Sequence, residues 1–243
     1  MEVHHSHDPT HKKKWAEYLL EFLMLFLAVF LGFIAENIRE HTVEKKREKQ
    51  YASLLLSDLR TDSSFFVERT KLLENRLKQH KLFTNFMTDS NSHSDKQVIN
   101  AFLPLWHNNP LNVTPVTFKQ MENSGSLRYI ENEQLLKLLQ HYYENLLVTA
   151  NLYFGAQQQF SANIIYPFFL THIRMQDIDD QVDTVTVANP VFLNRTRETD
   201  QQLLNIFANY GSDQLNYQTR YVEPLIKTNK ELINLIKNEY HLK

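Results

Sequence analysis

Residues 18–35, YLLEFLMLFLAVFLGFIA, restrict more than any other stretch what this chain can fold into. The last fourteen of them have no polar side chain, and Leu19 and Leu20 extend the apolar run beyond Glu21. Eighteen residues form a helix of about 27 Å, which is close to the hydrocarbon thickness of a bilayer. The stretch therefore predicts one membrane-spanning helix.

Three other interpretations of this stretch fit less well. A core helix of a soluble protein usually keeps a polar stripe, whereas this one is apolar all round from Phe22 onward. A signal peptide needs small residues before its cleavage site, and Phe33 occupies one of those positions before Ala35. Glu17 and Glu21 also interrupt a secretory core, and a helix lying on the membrane surface would need a charged face that is absent here.

Composition favours a helical protein with one sizeable domain after this segment. Of 243 residues, roughly 200 remain beyond the anchor and its tail. Lys and Arg number 26 against 28 Asp and Glu, so nothing points to nucleic acid. The absence of cysteine excludes disulfides, thiol catalysis and thiolate metal sites. Four glycines cannot form a phosphate-binding loop, and so few of them favour helices throughout.

We therefore predict an all-α fold in which an N-terminal transmembrane helix continues into an antiparallel helical bundle. Residues 1–17 form a polar tail rich in His and Lys, and 18–35 form the membrane span. Residues 36–50 carry charges of both signs and predict a solvated helical stalk. Residues 51–243 form the bundle domain.

The polar tail has a cluster of imidazoles that can be interpreted in two ways. Neutral imidazoles bind transition metals well, and the candidates are His4, His5, His7, Asp8 and His11. The alternative, which we favour, is a solvated tail, because nothing rigid fixes the geometry of the ligands.

One face of the predicted span suits helix–helix association. At about 100° per residue, Glu21, Leu25, Ala28, Gly32 and Ala35 lie on the same side. Ala28 and Gly32 are a pair of small residues four apart, which lets another helix approach closely. Glu21 can hold a partner helix through a polar contact, or extend to water from its place about one turn inside the boundary.

Apolar spacing predicts the helices of the bundle. From Tyr51 it indicates one long helix to about Thr88, with a candidate break at Ser63 and Ser64. After a polar turn at 89–95, a shorter helix covers 96–106. Thr114 can then cap a brief helix that has Pro115 at its first position and Gly125 at its left-handed C-terminus.

A second long helix and a closing pair complete the predicted bundle. The second helix begins at Glu131 or Asn132, and Pro167 ends or kinks it. Residues 182–187 alternate and can form a small strand or an ordered loop. The closing helices begin at Thr196 or Thr199, with kinks expected at Gly211 and Pro224.

Few residues indicate a catalytic or metal-binding site. Asp58 and Asp62 lie one helical turn apart and could bind a metal or act in acid–base catalysis. We favour a structural role, on a polar face or in a buried link to a cation such as Arg128. No spacing typical of a metal site joins His107, His141 and His172, and we expect His141 to be partly buried.

The abundant aromatic residues have two interpretations. They can fill the core, which we favour, or line a ligand pocket between helices. The residues concerned are Tyr142, Tyr143, Tyr153, Phe154, Phe160, Tyr166, Phe168 and Phe169.

Three stretches carry a resemblance to a known family. They are FLMLFLAVFLGFIAENIRE, SLLLSDLRTD and MENSGSLRYIENEQLLKLLQHYY. Together they resemble a family of uncharacterised bacterial membrane-anchored proteins, a domain of unknown function with one N-terminal helix and a helical remainder. The resemblance covers most of the chain. It implies a location and a fold but no activity, substrate or cofactor.

From these observations we expect a membrane-anchored interaction or scaffold subunit of a bacterial inner-membrane complex, not an enzyme, with no cofactor. Its expected partners are the lipid bilayer and either further copies of itself or other membrane subunits, and not nucleic acid. The alternative is a sensor module that binds a small ligand within the bundle. A carboxylate–metal enzyme using Asp58 and Asp62 is a more distant alternative.

The charges beside the span give conflicting signals about orientation. Lys12, Lys13 and Lys14 lie on one side. Five cations lie on the other side, alternating with glutamates: Arg39, Lys45, Lys46, Arg47 and Lys49. Because the three lysines are contiguous, with no acidic residue among them, we favour a cytoplasmic tail and a periplasmic bundle.

Overall fold

The first helix, α1 (Trp15–Thr88), is 74 residues long and unbroken in the computed structural model. The structure describes residues 15–88, 93–106, 110–174, 178–181, 184–187 and 190–242. The tail residues His4, His5, His7, Asp8 and His11 lie outside these ranges, as does most of the predicted turn at 89–95. The chain separates into two compact units, Met1–Gln50 and Tyr51–Lys243.

The break predicted at Ser63 and Ser64 is wrong. The Ser64 hydroxyl donates a hydrogen bond to the Arg60 carbonyl, one turn earlier, at 3.2 Å. This bond satisfies the hydroxyl within the helix itself, and α1 continues through both serines. The helix extends to Thr88, the last described residue before position 93.

Two short helices follow. The helix α2 (Asp95–Trp106) agrees with the predicted 96–106. The helix α3 (Val116–Asn123) has Pro115 at its N-cap, and Gly125 has a φ of 68°, as expected of a left-handed C-terminal residue. A single 3₁₀ turn, Ser126–Tyr129, follows.

The second long helix contains two π-helical turns. It consists of α4 (Glu133–Gln140), a π turn (His141–Leu146), α5 (Leu147–Phe160), a second π turn (Ser161–Ile165) and α6 (Tyr166–His172). Asn132 caps it, because its side chain accepts a hydrogen bond from the Leu135 amide at 3.0 Å. Pro167 does not end this helix. The π turn before Pro167 alters the bonding pattern where the proline lacks an N–H.

Two small antiparallel sheets lie between the long helices. The strands β1 (Ile173–Arg174) and β4 (Val191–Phe192) pair with each other, with Ile173 opposite Phe192. The strands β2 (Ile178–Gln181) and β3 (Thr184–Val187) form a hairpin. The strand interpretation of 182–187 is therefore confirmed for 184–187, and residues 182–183 are outside the described part.

The closing helices show the same use of a π turn before a proline. The helix α7 (Arg197–Tyr217) begins with a capping box in which Thr196 and Thr199 bond each other's backbone amides. A π turn (Gln218–Val222) joins it to α8 (Glu223–Tyr240), which has Pro224 in its first turn. The fold of the described residues is thus the predicted all-α, antiparallel bundle, with two minor sheets.

The bundle has two hydrophobic clusters along α1. Phe66 and the residues before it on α1 pack with α3, α4 and α8, around Phe118, Leu139 and Leu232. Farther along α1, Phe83 packs with α2, α6 and α7, through contacts that include Phe102, Phe169 and Phe207. The interval of α1 between Phe66 and Phe83 belongs to neither cluster and carries polar groups.

An ion-pair network joins the ends of three elements. Arg195 bonds the Asp95 carboxylate at the start of α2 and the Asp200 carboxylate in the first turn of α7, both at 3.0 Å. The other Asp95 oxygen accepts the Phe192 amide of β4 at 2.9 Å. These bonds fix the sheet β1–β4 against the helices.

Candidate functional site

Residues 18–35 expose an apolar surface around the whole circumference of α1. The most apolar 18-residue window of this helix has a mean hydropathy of 2.4, and none of it is buried. Phe22, Leu25 and Phe33 each expose more than two thirds of their side chain. A helix of this length and composition, near the N-terminus, meets the criteria for a single membrane span or a signal sequence.

The predicted association face lies fully at the surface. Glu21, Leu25, Ala28, Gly32 and Ala35 are all exposed. A Cβ added at Gly32 would meet no atom within 4 Å, so the surface there is open to another helix. The structure places these five residues on one regular helix, which keeps the spacing on which the face depends.

An aromatic row runs along a different face of the same helix. The Phe22 and Phe26 rings stack with centroids 6.4 Å apart, and those of Phe26 and Phe30 are 5.9 Å apart. These rings are large, and they prevent close approach of a second backbone on their side. Sequence reasoning missed this row, although the spacing of four residues was visible.

The charged segment 36–50 is helical and has local ion pairs. Arg39 bonds the Glu36 carboxylate through its Nε at 2.8 Å, and Lys45 lies 3.9 Å from the Glu48 carboxylate. Contact with Arg39 holds the pKa of Glu36 below its usual value. The Arg39–Glu36 pair is exposed, so it contributes little to stability but favours a helix that water surrounds, whereas Glu48 is buried.

Asp58 and Asp62 hold the start of α3 against α1. One Asp62 oxygen accepts the Thr114 amide at 2.7 Å, and the other accepts the Tyr142 hydroxyl at 3.0 Å. Asp58 accepts the Thr117 amide at 3.0 Å. The Thr117 amide in the first turn of α3 and the Thr114 amide just before α3 are therefore both bonded to carboxylates of α1, and the Thr114 side-chain cap that the sequence predicts is wrong.

Burial dominates the electrostatics of this carboxylate pair. Asp62 has no exposed surface, and its desolvation raises its pKa, although the bonds from Thr114 and Tyr142 act in the opposite direction. The Arg128 guanidinium lies 5.2 Å from the Tyr129 ring centroid. Backbone amides and a tyrosine hydroxyl donate hydrogen bonds to the pair, which links α1 to the start of α3 and to the second long helix.

The histidines singled out in the sequence do not converge. His107 lies outside the described residues. The side chain of His141 is exposed, so its predicted partial burial is wrong, because this residue faces away from the core at the start of a π turn. His172 is close to the Thr171 hydroxyl and stacks on Phe168. Within the described part of the chain, no group of three or more metal-binding side chains comes together.

Most of the aromatic residues contribute to the core or stack along helix interfaces. Tyr142, Tyr143, Phe168 and Phe169 are buried, whereas Tyr166 exposes 47% of its side chain. The Tyr153 hydroxyl bonds the Asp213 carboxylate, whose second oxygen accepts from Gln157 at 3.1 Å. This polar link between α5 and α7 was not visible in the sequence.

Two cavities between α1 and α7 were also missed by sequence reasoning. They share Leu73, Arg76 and Gln214, and Arg69 lines one of them. Arg69 and Arg76 are seven residues apart, which places both on one face of α1. That spacing was readable in the sequence, but nothing there indicated that the arginines face inward.

Comparisons with known proteins supply no relative. No family model, no curated protein and no solved structure matches this chain. What the protein does must therefore be inferred from its own residues.

Proposed function

We propose that this protein is a single-pass subunit of the bacterial inner membrane that anchors and organises a protein complex, and that it is not an enzyme. The observation that carries the proposal is the apolar surface of residues 18–35, which is exposed on all sides. So large an exposed apolar surface requires lipid or another protein to cover it.

The continuity of α1 favours an anchor over a cleaved leader. The helix runs without interruption past Ala35 to Thr88, so cleavage near Ala35 would cut a regular helix. A cleavage site is normally an accessible stretch with small residues, and Phe33 is neither small nor outside the helix.

Association within the membrane needs more than apolar side chains. Lipid tails are as apolar as leucine, so helices meet through close packing and polar contacts. Ala28 and Gly32 allow close packing on one face, and Glu21 provides a polar contact on the same face. The row Phe22, Phe26 and Phe30 covers another face with bulk, which leaves the small-residue face as the better contact surface.

The bonds of Asp58 and Asp62 support a non-catalytic role. Their carboxylates are engaged with the α3 amides and with Tyr142, and Asp62 has no access to solvent. A metal site would have to replace these bonds and unravel the α3 cap. The carboxylate–metal alternative therefore has little support.

A sensor module that binds a small ligand remains the second candidate. One observation favours it, the pair of cavities beside Arg69 and Arg76 in the bundle. For either function we favour a cytoplasmic tail and a periplasmic bundle. Alkaline phosphatase fused after Lys243 should then be active, and an inactive fusion would reverse the orientation.

Affinity purification in mild detergent, followed by mass spectrometry, tests the proposed function. The wild-type chain should copurify with other membrane proteins or with differently tagged copies of itself. Gly32→Leu should lose these partners by steric exclusion, and Glu21→Gln should weaken their recovery less, if a neutral hydrogen bond suffices. Phe30→Leu is the matched control and should retain them. Equal recovery from Gly32→Leu and Phe30→Leu would refute the association face.

A further inference from the structure

A groove with a volume of about 260 Å³ lies between α1 and α8. It belongs to the unit Tyr51–Lys243 and is separate from the cavities between α1 and α7. One water molecule occupies about 30 Å³ of the liquid, so the groove has room for roughly eight or nine of them. An organic ligand of about ten non-hydrogen atoms therefore fits the groove.

The groove combines apolar side chains with two lysines. Val67 of α1, which exposes 57% of its surface, and Ile226 of α8 line it. Lys71 of α1 and Lys230 of α8 line it as well, and neither forms an ion pair with another described residue. None of the residues that line the groove, all of which the structure describes, is Asp or Glu. Its charge is therefore positive.

The helices α1 and α8 run antiparallel beside the groove. The Asn229 side chain of α8 donates a hydrogen bond to the Leu59 carbonyl of α1 at 2.9 Å. Farther along α1, Arg69 lies over the ring of Tyr217, which precedes α8 in the chain. The chain thus passes the groove in one direction in α1 and in the opposite direction in α8.

This antiparallel arrangement directs both lysines into the groove. A helical side chain leans toward the N-terminus of its own helix, so Lys71 leans toward Val67 and Lys230 leans toward Ile226. Because the two helices run in opposite directions, the two ammonium groups approach the groove from opposite ends. They meet over the apolar side chains that both helices contribute.

We propose that this groove binds a small carboxylic acid with an apolar body of about eight carbon atoms. The carboxylate lies between Lys71 and Lys230, and the body lies along Val67 and Ile226. Each ammonium attracts one carboxylate oxygen, and the Ser63 hydroxyl, which also lines the groove, can donate a further hydrogen bond. Contact of the body with the two aliphatic side chains removes apolar surface from water.

The size of the groove favours a small molecule over a protein partner. Eight residues line it, whereas a stable protein interface uses about 20–30 residues on each side. A ligand in the groove would contact α1, which continues to the apolar segment 18–35, and α8. The site thus gives the sensor alternative a ligand class, and it goes beyond the anchoring role, which does not depend on it.

The test is thermal unfolding of the full chain in mild detergent, with sodium 3-phenylpropionate as the probe at constant sodium concentration. A ligand that binds the folded state raises Tm with concentration, and this dependence gives Kd. We expect a Kd of about 1 mM, which is typical of a ligand of this size.

Two related compounds separate the contributions of charge and of the apolar body. 3-Phenylpropionamide has the same shape without the charge, and its Kd should be about fivefold higher or more. Because the neutral amide enters detergent micelles at least as readily as the acid anion, it also controls for effects of the micelle. Acetate keeps the carboxylate without the body and should leave Tm unchanged at the same concentrations.

Variants locate the binding within the groove. Lys71→Gln and Lys230→Gln should each raise Kd for 3-phenylpropionate by about threefold, as expected for exposed ion pairs, and the double variant by about tenfold. Val67→Asp places a negative charge in the groove and should abolish the rise in Tm. Lys78→Gln, at an exposed position of α1 outside the groove, is the matched control and should bind as the wild type does. All four side chains are exposed, so these variants should fold.

Three results would overturn the site. They are no rise in Tm with 3-phenylpropionate in the wild type, the same Kd for the amide as for the acid, and the same Kd for the double lysine variant as for Lys78→Gln. A rise with acetate equal to that with 3-phenylpropionate would overturn the role of the apolar body. None of these outcomes depends on recovery of partners in the affinity purification, so the two proposals fail independently.

Discussion

At the scale of single residues, Asp62 is a buried carboxylate that joins three parts of the bundle. It has no exposed surface and accepts one bond from the Thr114 amide and one from the Tyr142 hydroxyl. Asp62→Ala would leave both donors buried without an acceptor. We expect a loss of about 2–4 kcal/mol in the free energy of unfolding.

Urea unfolding followed by circular dichroism measures this loss. Asp58→Ala, one turn earlier on the same face of α1, is the control. Its carboxylate is half-buried and caps a single α3 amide, so it should cost about 1 kcal/mol. Equal losses for the two variants would contradict the role assigned to Asp62.

Asp62 also makes stability depend on pH in a defined direction. Its pKa is raised in the folded state, chiefly by burial, so the folded chain binds this proton more tightly than the unfolded chain does. The carboxylate therefore disfavours folding above the raised pKa. Its contribution improves as pH falls from there toward the ordinary value near 3.8.

Comparison with Asp62→Asn isolates this effect from those of the other carboxylates. The unfolding free energy of the wild type, relative to the variant, should rise as pH is lowered through that window. A relative stability that falls on acidification would show that the Asp62 pKa is depressed and that its hydrogen bonds outweigh its burial.

Gly155 and Gly211 both lie inside helices, so alanine substitutions at the two positions can be compared directly. A Cβ at Gly211 in α7 would overlap the His80 imidazole, whereas a Cβ at Gly155 in α5 would meet nothing within 4 Å. Gly155→Ala should stabilise the fold by up to about 1 kcal/mol through helix propensity. Gly211→Ala should destabilise it by about 1–2 kcal/mol, because the His80 ring, which packs on Phe207, has to move.

Thermal unfolding of the two variants checks these signs. A double variant supplies the control, since adding His80→Ala to Gly211→Ala should recover most of the lost stability that is due to overlap. A stabilising Gly211→Ala would mean that the imidazole moves aside at little cost.

At the scale of elements, helix existence could be predicted and helix irregularity could not. Apolar spacing, the Asn132 cap and the Thr196 cap correctly gave the starts of the long helices. The π turns before Pro167 and Pro224 left no trace in that spacing, because one extra residue in a turn shifts a stripe by little. The sequence indicated an end or a kink at Pro167 and a kink at Pro224, but not the π turns that precede them.

The sequence also could not predict the contacts between segments that are far apart in the chain. The pairing of β2 with β3 and the capping of α3 by Asp58 and Asp62 join parts of the chain whose meeting depends on the whole bundle. The inward direction of Arg69 and Arg76 depends on α7 in the same way. The apolar segment 18–35, in contrast, is a local feature and was read from the sequence directly.

At the scale of the whole molecule, we expect the unit Tyr51–Lys243 to fold without the preceding residues. Both hydrophobic clusters lie entirely within it. Removal of residues 1–50 should therefore give a soluble product with a strongly helical circular dichroism spectrum and a cooperative thermal transition. A product that only aggregates, or one rich in sheet, would contradict an autonomous bundle.

The central claim is that residues 18–35 meet another protein within a membrane through one face. Site-specific photocrosslinking in intact membranes tests it most directly, with the photoreactive residue placed either at Leu25, on the association face, or at Phe26, in the aromatic row. Leu25 should form protein adducts, with a second copy or another subunit, and Phe26 should react mainly with lipid. Equal protein adducts from both positions, or adducts from Phe26 alone, would contradict the account.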